Sequence, residues 1–537
     1  MTDPILPWVH EEIFTDEERE RLAPYFTNLE GPVFALVNLP EVTKGALFAR
    51  YSRSAKSVRR LFLDEFVEEA DSQRGRDEAG IERAEQLYDR VFFEYGDDSV
   101  AQLGGVHLAC EQSSQILAKV LEWGRLAAYL EQSTRYVPYD DRPGGRFRYA
   151  VPPEAEDAGL AARFVEVLDR AFETYARWLE PMQDLYRARH PQEQGDPDFV
   201  YRATIRAKAC DTLRGLLPAA TRTNVGIYAT GQAYEQLLLR MRAHPYSEVR
   251  AYADLMLAEL RKVIPAFLRR VDLPDRGDAW SAYLASTREE TAKIAGELTG
   301  DLELPPRPEV TLTDFDPNGE VKVVAAALYA PTDLPDDLLL ERVRAMSPQQ
   351  REQVLSAYVG ERSNRRHKPG RAFERTGYRF DVLCDYGAFR DLQRHRMLTI
   401  EWQELTIEHG FDRPGDVDVA GAGADWDRVM EESAALEAEL RTAGVGGVAQ
   451  YAVAMAYRIR FVMQMNAREA THLIELRSSP QGHPAYRRVA HEMHRLIRDE
   501  AGHRGIAGAM SHLDLSEVDL ERLEAERRSE SRRRRGA

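Results

Sequence analysis

The chain runs through the same order of elements twice. Val33-Phe34-Ala35-Leu36-Val37 is a short apolar, β-branched run that leads through a proline-containing turn into a helical stretch, LFARYSRSAKSVRRLFLDEF. Val321-Lys322-Val323-Val324-Ala325-Ala326 opens the second half in the same manner and leads into DDLLLERVRAM. Both runs read as strands bounded by turn signals. Long helical periodicity follows each, in IERAEQLYDRVFFEY, AARFVEVLDRAFETYARWLEPM, DVLCDYGAFRDLQ and AYRIRFVMQMNAREATHLIELR, with strand-like segments inside. At 537 residues the chain is too long for a single core. The pattern predicts an α+β protein of two tandem domains, each a small mixed sheet with long helices. Residues 1–29 read as an N-terminal extension, 30–270 as the first domain and 271–318 as a linker ending in Pro305-Pro306-Arg307-Pro308. Residues 319–505 read as the second domain and 506–537 as a charged tail.

Charge and cysteine content narrow the function. Acidic residues outnumber basic ones, 89 to 72, and the net charge of -17 opposes non-specific binding to nucleic acid. The run Arg532–Arg535 is the exception and reads as a solvated tail. Cys110, Cys210 and Cys384 are scattered and lack metal-ligand spacing, which suits buried thiols in a reducing compartment. No metal motif, P-loop or dinucleotide glycine fingerprint is present. The opening MTDPILPWVHEE lacks a basic, apolar leader, and no apolar run would span a bilayer. A cytoplasmic protein with no membrane partner is expected.

Two sets of residues can carry chemistry, one in each half. In the first half, Glu131, Ser133 and Arg135 alternate within EQSTRY, so an extended segment would point an acceptor, a hydroxyl and a guanidinium to one side. Arg214 precedes Gly-Leu-Leu-Pro218. In the second half, Arg394-His395-Arg396 presents two cations around a histidine, suited to anionic oxygens. Downstream, Arg468 and His472 stand at i and i+4 on one helix face, Asn466 lies near its start, and Arg477 near its end.

These pieces resemble the flavin-dependent thymidylate synthases. In that family Arg-His-Arg and Glu-x-Ser-x-Arg-Tyr sit almost back to back in one motif. Here each half keeps one piece and has lost the other. The first half reads Trp123-Gly124-Arg125 where Arg-His-Arg belongs, and ATGQAYEQLLLRMRAH where the Asn-x-Arg helix belongs. The second half reads MLTIEWQELTIEH in place of Glu-x-Ser-x-Arg-Tyr, and Gln450 replaces the arginine before Leu-Pro.

The resemblance implies two tandem flavin-dependent-thymidylate-synthase-like domains. It implies that Arg394, His395, Arg396, Asn466, Arg468 and His472 hold FAD, and that Arg477 contacts the uracil ring of dUMP and serves catalysis. It also implies that Arg135 and Arg214 clamp the dUMP phosphate, while Ser133 and Glu131 orient nucleotide and flavin. The family reaction is reductive methylation of dUMP to dTMP, with methylenetetrahydrofolate as carbon donor and NADPH as reductant through FAD. The family is a homotetramer with sites shared by subunits, so a homodimer of this chain would mimic it. The sorting of losses follows that partition and implies a site composed from both halves. One departure bears on folate. The family's Glu-His pair is Phe373-Glu374-Arg375 here, and Gly96-Asp97-Asp98-Ser99 stands where Gly-His-x-Ser is usual. Two further readings fit the same residues: a flavin enzyme acting on another pyrimidine nucleotide, and a non-catalytic flavin or nucleotide binder.

Overall fold

The computed structural model describes residues 12–39, 54–65, 105–194, 196–303 and 305–516, with positions 8, 9, 47, 51 and 67. The helix expected over 81–95, the Gly96–Ser99 segment and the arginine run at 532–535 lie outside the described residues.

Among the described residues, two antiparallel four-stranded sheets carry the fold, and they repeat one topology. The first has the order β1-β2-β4-β3, built from Val33–Leu36 (β1), Gly105–Ser114 (β2), Ala127–Glu131 (β3) and Arg222–Thr230 (β4). The second has the order β5-β6-β8-β7, from Val310–Phe315 (β5), Gly377–Asp385 (β6), Leu398–Trp402 (β7) and Arg458–Asn466 (β8). The pairing of β6 with β8 runs from Gly377↔Asn466 to Asp385↔Arg458 without interruption. That of β2 with β4 is broken by an irregularity between Cys110 and Ser113, where Gln112 takes a positive φ of 59°.

The central strands of both sheets run straight into helices through a capping residue. Ser114 ends β2 and caps helix α1 (Gln115–Leu121), accepting from Leu117 N at 3.0 Å. Thr230 ends β4 and caps helix α2 (Gly231–Arg242). Asp385 ends β6 and caps helix α3 (Tyr386–Leu392), accepting from Ala388 N at 2.9 Å. Asn466 ends β8 and caps helix α4 (Ala467–Arg477), accepting from Glu469 N at 2.9 Å. Each cap satisfies an amide that the first turn leaves without a helical partner and fixes where the helix begins. The sequence repeat is therefore a repeat of strand, cap and helix.

Several expectations need correction. Val321–Ala326 is helical, within Gly319–Tyr329. This helix buries Val321, Val323, Val324, Ala325 and Ala327, and the opening strand of the second sheet is Val310–Phe315, inside the stretch read as linker. The helix read across AYRIRFVMQMNAREATHLIELR is a strand and then a helix. In β8, Phe461, Met463 and Met465 are buried while Val462 is half-buried and Gln464 exposed, which is the period of a strand. DVLCDYGAFRDLQ likewise divides into the end of β6 and α3. The alternation expected of Glu131, Ser133 and Arg135 fails because β3 ends at Glu131. Tyr136 N and Val137 N both bond Ser133 O at 3.1 Å and turn the chain. The N-terminal stretch is part of the first core: Phe14, Leu22, Tyr25 and Phe26 cluster with Phe34, Phe62 and Ala109.

The chain forms two compact units. Unit one comprises Met1–Pro181, Cys210–Leu304 and Gly415–Ala454; unit two comprises Met182–Ala209, Pro305–Pro414 and Met455–Ala537. Each unit thus holds one sheet together with a stretch from the other half of the sequence. In unit one, Ala219 N bonds Val453 O at 2.8 Å and Ala220 N bonds Tyr451 O at 2.9 Å. Buried Glu248 accepts from the hydroxyls of Ser114 at 2.6 Å and Tyr451 at 2.5 Å. A buried carboxylate needs such donors, so this junction is specified by hydrogen bonding as well as by packing. Among the described residues, no helix is long and apolar enough to cross a membrane.

Candidate functional site

Unit two sets its expected residues along α4, with Asn466 and Arg468 at its start and Arg477 in its last turn. The Asn466 cap places Glu469 and His472 at i and i+3 on one face of the helix. His395 leaves the end of α3 and meets them there. Its Nδ1 lies 2.9 Å from Glu469 Oε1, and its ring centroid lies 5.5 Å from that of His472. Arg477, in the last turn of α4, donates from Nε to His395 Nε2 at 3.0 Å. An arginine side chain can only donate, so Nε2 accepts and the imidazole proton sits on Nδ1, directed at Glu469. The result is a chain from guanidinium through neutral imidazole to carboxylate.

Electrostatics support the neutral form. Burial first, then the positive charges of Arg477, Lys368 and Arg396, hold His395 well below the ordinary histidine range. Burial lowers His472 to about 4. Glu469 is raised by burial, although His472, Lys368, Arg468 and Arg396 pull the other way. Asp391 on α3 lies 3.8 Å from Arg477 and 3.7 Å from Arg394. Arg468 donates to Pro369 O at 2.9 Å and approaches Glu374 at 3.2 Å. Buried Arg362 makes a two-pronged pair with Glu475, both bonds 2.6 Å, and ties the basic stretch 363–368 to α4.

A stability consequence follows. Folded His472 titrates near 4, below the unfolded value of about 6.5, so the unfolded chain takes up the proton first as pH falls. Stability should be unaffected by this group above pH 6.5 and decline between about pH 6.5 and 4. Replacing His472 with asparagine should flatten that limb in thermal melts recorded across the range. An unchanged acid limb would remove His472 as its source.

In unit one, Arg135 and Arg214 meet at a carboxylate that sequence reasoning missed. Arg135 makes two bonds to Asp211, Nε to Oδ1 at 2.8 Å and Nη2 to Oδ2 at 2.7 Å; buried Arg214 approaches Oδ1 at 3.5 Å. Glu131 is 3% exposed, its carboxylate 3.1 Å from the ammonium of buried Lys119, which also pairs with Glu122. Ser133 Oγ accepts from Arg135 N at 3.3 Å. The two arginines share Asp211, whereas Glu131 faces Lys119 and Ser133 supports the turn. In the place of His395, the first half has filled its space. A Cβ on Gly124 would lie 2.5 Å from Tyr129 Oη, whose hydroxyl donates to Gly124 O at 3.1 Å. Gln450, at the place of Arg214, donates to Tyr246 Oη. The losses are thus rebuilt as packing and hydrogen bonds.

Glu469, Asp391 and Lys368 were also absent from the sequence reading of the second half. Asn466-Ala467-Arg468-Glu469 has the spacing of a helix-capping pair, which conceals a carboxylate directed at His395. The basic loop around Lys368 could have been found from its run of cations, RSNRRHK.

The donor set of unit two fits a flavin nucleotide. A pyrophosphate-bearing ligand calls for fixed cations, and Arg394, Arg396 and Lys368 are exposed, with Arg468 half-buried, around the His395 and His472 rings. His395, Glu469 and His472 place ligand atoms within 4.8 Å of one another, a spacing that a metal ion can use. The surrounding guanidinium and ammonium groups oppose a further cation there, so the trio suits proton sharing with an anionic ligand nearby.

Residues 45–266 and 311–501 match the model of the thymidylate synthase complementing protein family. A UPF0159 protein of Chlamydia pneumoniae is 37% identical over 97% of this chain and 99% of its own length. A UPF0159 protein of Thermoplasma acidophilum is 30% identical over 90% of this chain and 98% of its own. A flavin-dependent thymidylate synthase of Clostridium tetani is 26% identical over 33% of this chain and 66% of its own. With two stretches that together span most of the sequence matched to one family model, and with one topology repeated in its two sheets, the chain belongs to the thymidylate synthase complementing protein family.

Proposed function

We propose that this protein binds FAD and dUMP and forms dTMP, taking the carbon from methylenetetrahydrofolate and reducing equivalents from NADPH. Residues of both halves serve one nucleotide. The observation that carries the reading is the Arg477–His395–Glu469 chain, held by the Asn466 cap among cations suited to a flavin nucleotide. Bound flavin supplies the hydride that the pyrimidine ring takes up. Arg394, Arg396, Arg468 and Asn466 hold the flavin, with His395 and His472 beside its rings. Arg477 stays protonated and holds the negative charge that develops at the N3–O2 edge of uracil. Neutral His395 accepts from Nε, so it aims the guanidinium without repelling it. Arg135 and Arg214 hold the dUMP phosphate, which takes over bonds now made to Asp211. Ser133 shapes their turn, and Glu131 acts through Lys119. The active assembly is a homodimer in the cytoplasm.

The test is dTMP formation from dUMP with FAD, NADPH and methylenetetrahydrofolate. Product that requires all three supports the reading; none, with both ligands bound, supports a non-catalytic binder. One observation favours a second reading, a flavin enzyme on a pyrimidine nucleotide with another carbon or hydride acceptor. In the place of the family's Glu-His pair, Phe373 is buried and Glu374 is engaged with Arg468. Product that forms without folate would decide for it.

A further inference from the structure

Unit one contains a buried guanidinium with no carboxylate paired to it among the described residues. Arg222, at the start of β4, is 5% exposed, and its Nη1 bonds only neutral acceptors, the Trp8 carbonyl and Gln112 Oε1, the latter at 2.7 Å. Its Nε has no hydrogen-bond partner among the described residues, and the same holds for the indole Nε1 of Trp8, which is 4% exposed. Burial lowers Arg222 to about 10, with the charge of Arg148 acting in the same direction. A buried cation and two buried N–H donors without partners are costly, and native proteins ordinarily satisfy such groups.

Both residues line a cavity of about 250 Å³. Phe147, Tyr149 and Val165 give it apolar walls, and Phe147 and Tyr149 are both held against Phe172, with ring centroids 5.2 and 5.6 Å away. The Tyr149 hydroxyl is committed to Asp169 at 2.7 Å, so that wall presents its ring. Arg146 and Glu156, both exposed, stand at the rim. None of Glu131, Ser133, Arg135 or Arg214 lines this space.

We propose that this cavity is a binding site for a small planar aromatic carboxylate. Its carboxylate is drawn to the Arg222 guanidinium and, with a turn of the two side chains whose Nε and Nε1 are now closed off, accepts from Arg222 Nε and Trp8 Nε1, while its ring lies along Phe147 and Tyr149. Two arginines and one glutamate leave a net charge of one at the cavity, which matches a monoanion better than a phosphate dianion. The volume is at the lower end of ligand pockets and admits a single-ring compound. The site is independent of the thymidylate reading, since no residue assigned to flavin or dUMP takes part.

The test is calorimetric titration of the full-length protein with benzoate, with its neutral isostere benzamide, and with phenyl phosphate, each repeated in saturating dUMP. Benzoate should bind at least about tenfold more tightly than benzamide, a difference of about 1.4 kcal/mol, and more tightly than phenyl phosphate, with dUMP leaving the affinity unchanged. Arg222→Gln should abolish the preference for benzoate. If that variant does not fold, Trp8→Phe, which keeps the ring but removes the N–H, should reduce it, and Val165→Trp should block binding by filling the cavity. Equal affinity for benzoate and benzamide, or no binding of benzoate, would overturn the proposal and leave Arg222 as a structural cation. Tighter binding of phenyl phosphate would overturn the carboxylate assignment. Competition by dUMP would merge this cavity with the nucleotide site.

Discussion

Replacing Arg477 with alanine is expected to abolish turnover, by about three orders of magnitude or more, while leaving much of the flavin bound. The reason is its place at the end of a fixed chain. Arg477 Nε is committed to His395, which is held in one tautomer by Glu469. The guanidinium plane is therefore set before substrate arrives, and a preoriented cation needs little reorganisation as charge develops on the pyrimidine ring. Arg468 differs. It is bonded to Pro369 O and Glu374, at the opposite end of α4, and Arg468→Ala should lose flavin. The two variants are compared by visible absorbance of bound flavin and by turnover. Equal flavin loss in both would count against the catalytic role of Arg477.

Arg135→Ala is expected to weaken dUMP binding by about 2–3 kcal/mol, roughly a hundredfold, with flavin affinity unchanged. Arg135 already makes a two-pronged bond to a carboxylate, the geometry that a phosphate would use in turn. Its side chain is 16% exposed and sits in a turn outside the sheet, so its loss should not unfold the unit. The cost includes removing this two-pronged bond from Asp211, which Arg214 still approaches at 3.5 Å. Nucleotide titration followed by calorimetry checks this, and an unchanged dUMP affinity would remove Arg135 from the site.

The tandem character was legible in the sequence, and so were the candidate residues that cluster in unit two, but not the secondary structure around them. The Val33–Leu36 strand was legible because it is short, apolar and bounded by turns. Val321–Ala326 has the same local composition yet is helical, since a short apolar run fits a buried strand and a buried helix segment equally well. In β8, arginines alternate with apolar residues, and the strand passes through its cap into α4 without a glycine or proline to mark the change. The interleaving of the two halves in the compact units has no local signal at all, because it depends on contacts distant in sequence. His395 and Arg477 were found, but the groups that set their state were not. Glu469 looks like a capping partner and Asp211 like an ordinary helix residue until the fold places them beside a histidine and two arginines.

On the proposed function, flavin and dUMP bind to this chain together and each senses the other. The most direct measurement is the visible absorbance spectrum of the full-length protein during titration with FAD, in the absence and presence of dUMP. A bound-flavin spectrum that shifts on addition of dUMP, and that no longer shifts in Arg135→Ala at the same dUMP concentration, is the predicted result. Absence of flavin binding, or a flavin spectrum indifferent to dUMP at saturation, would contradict the account.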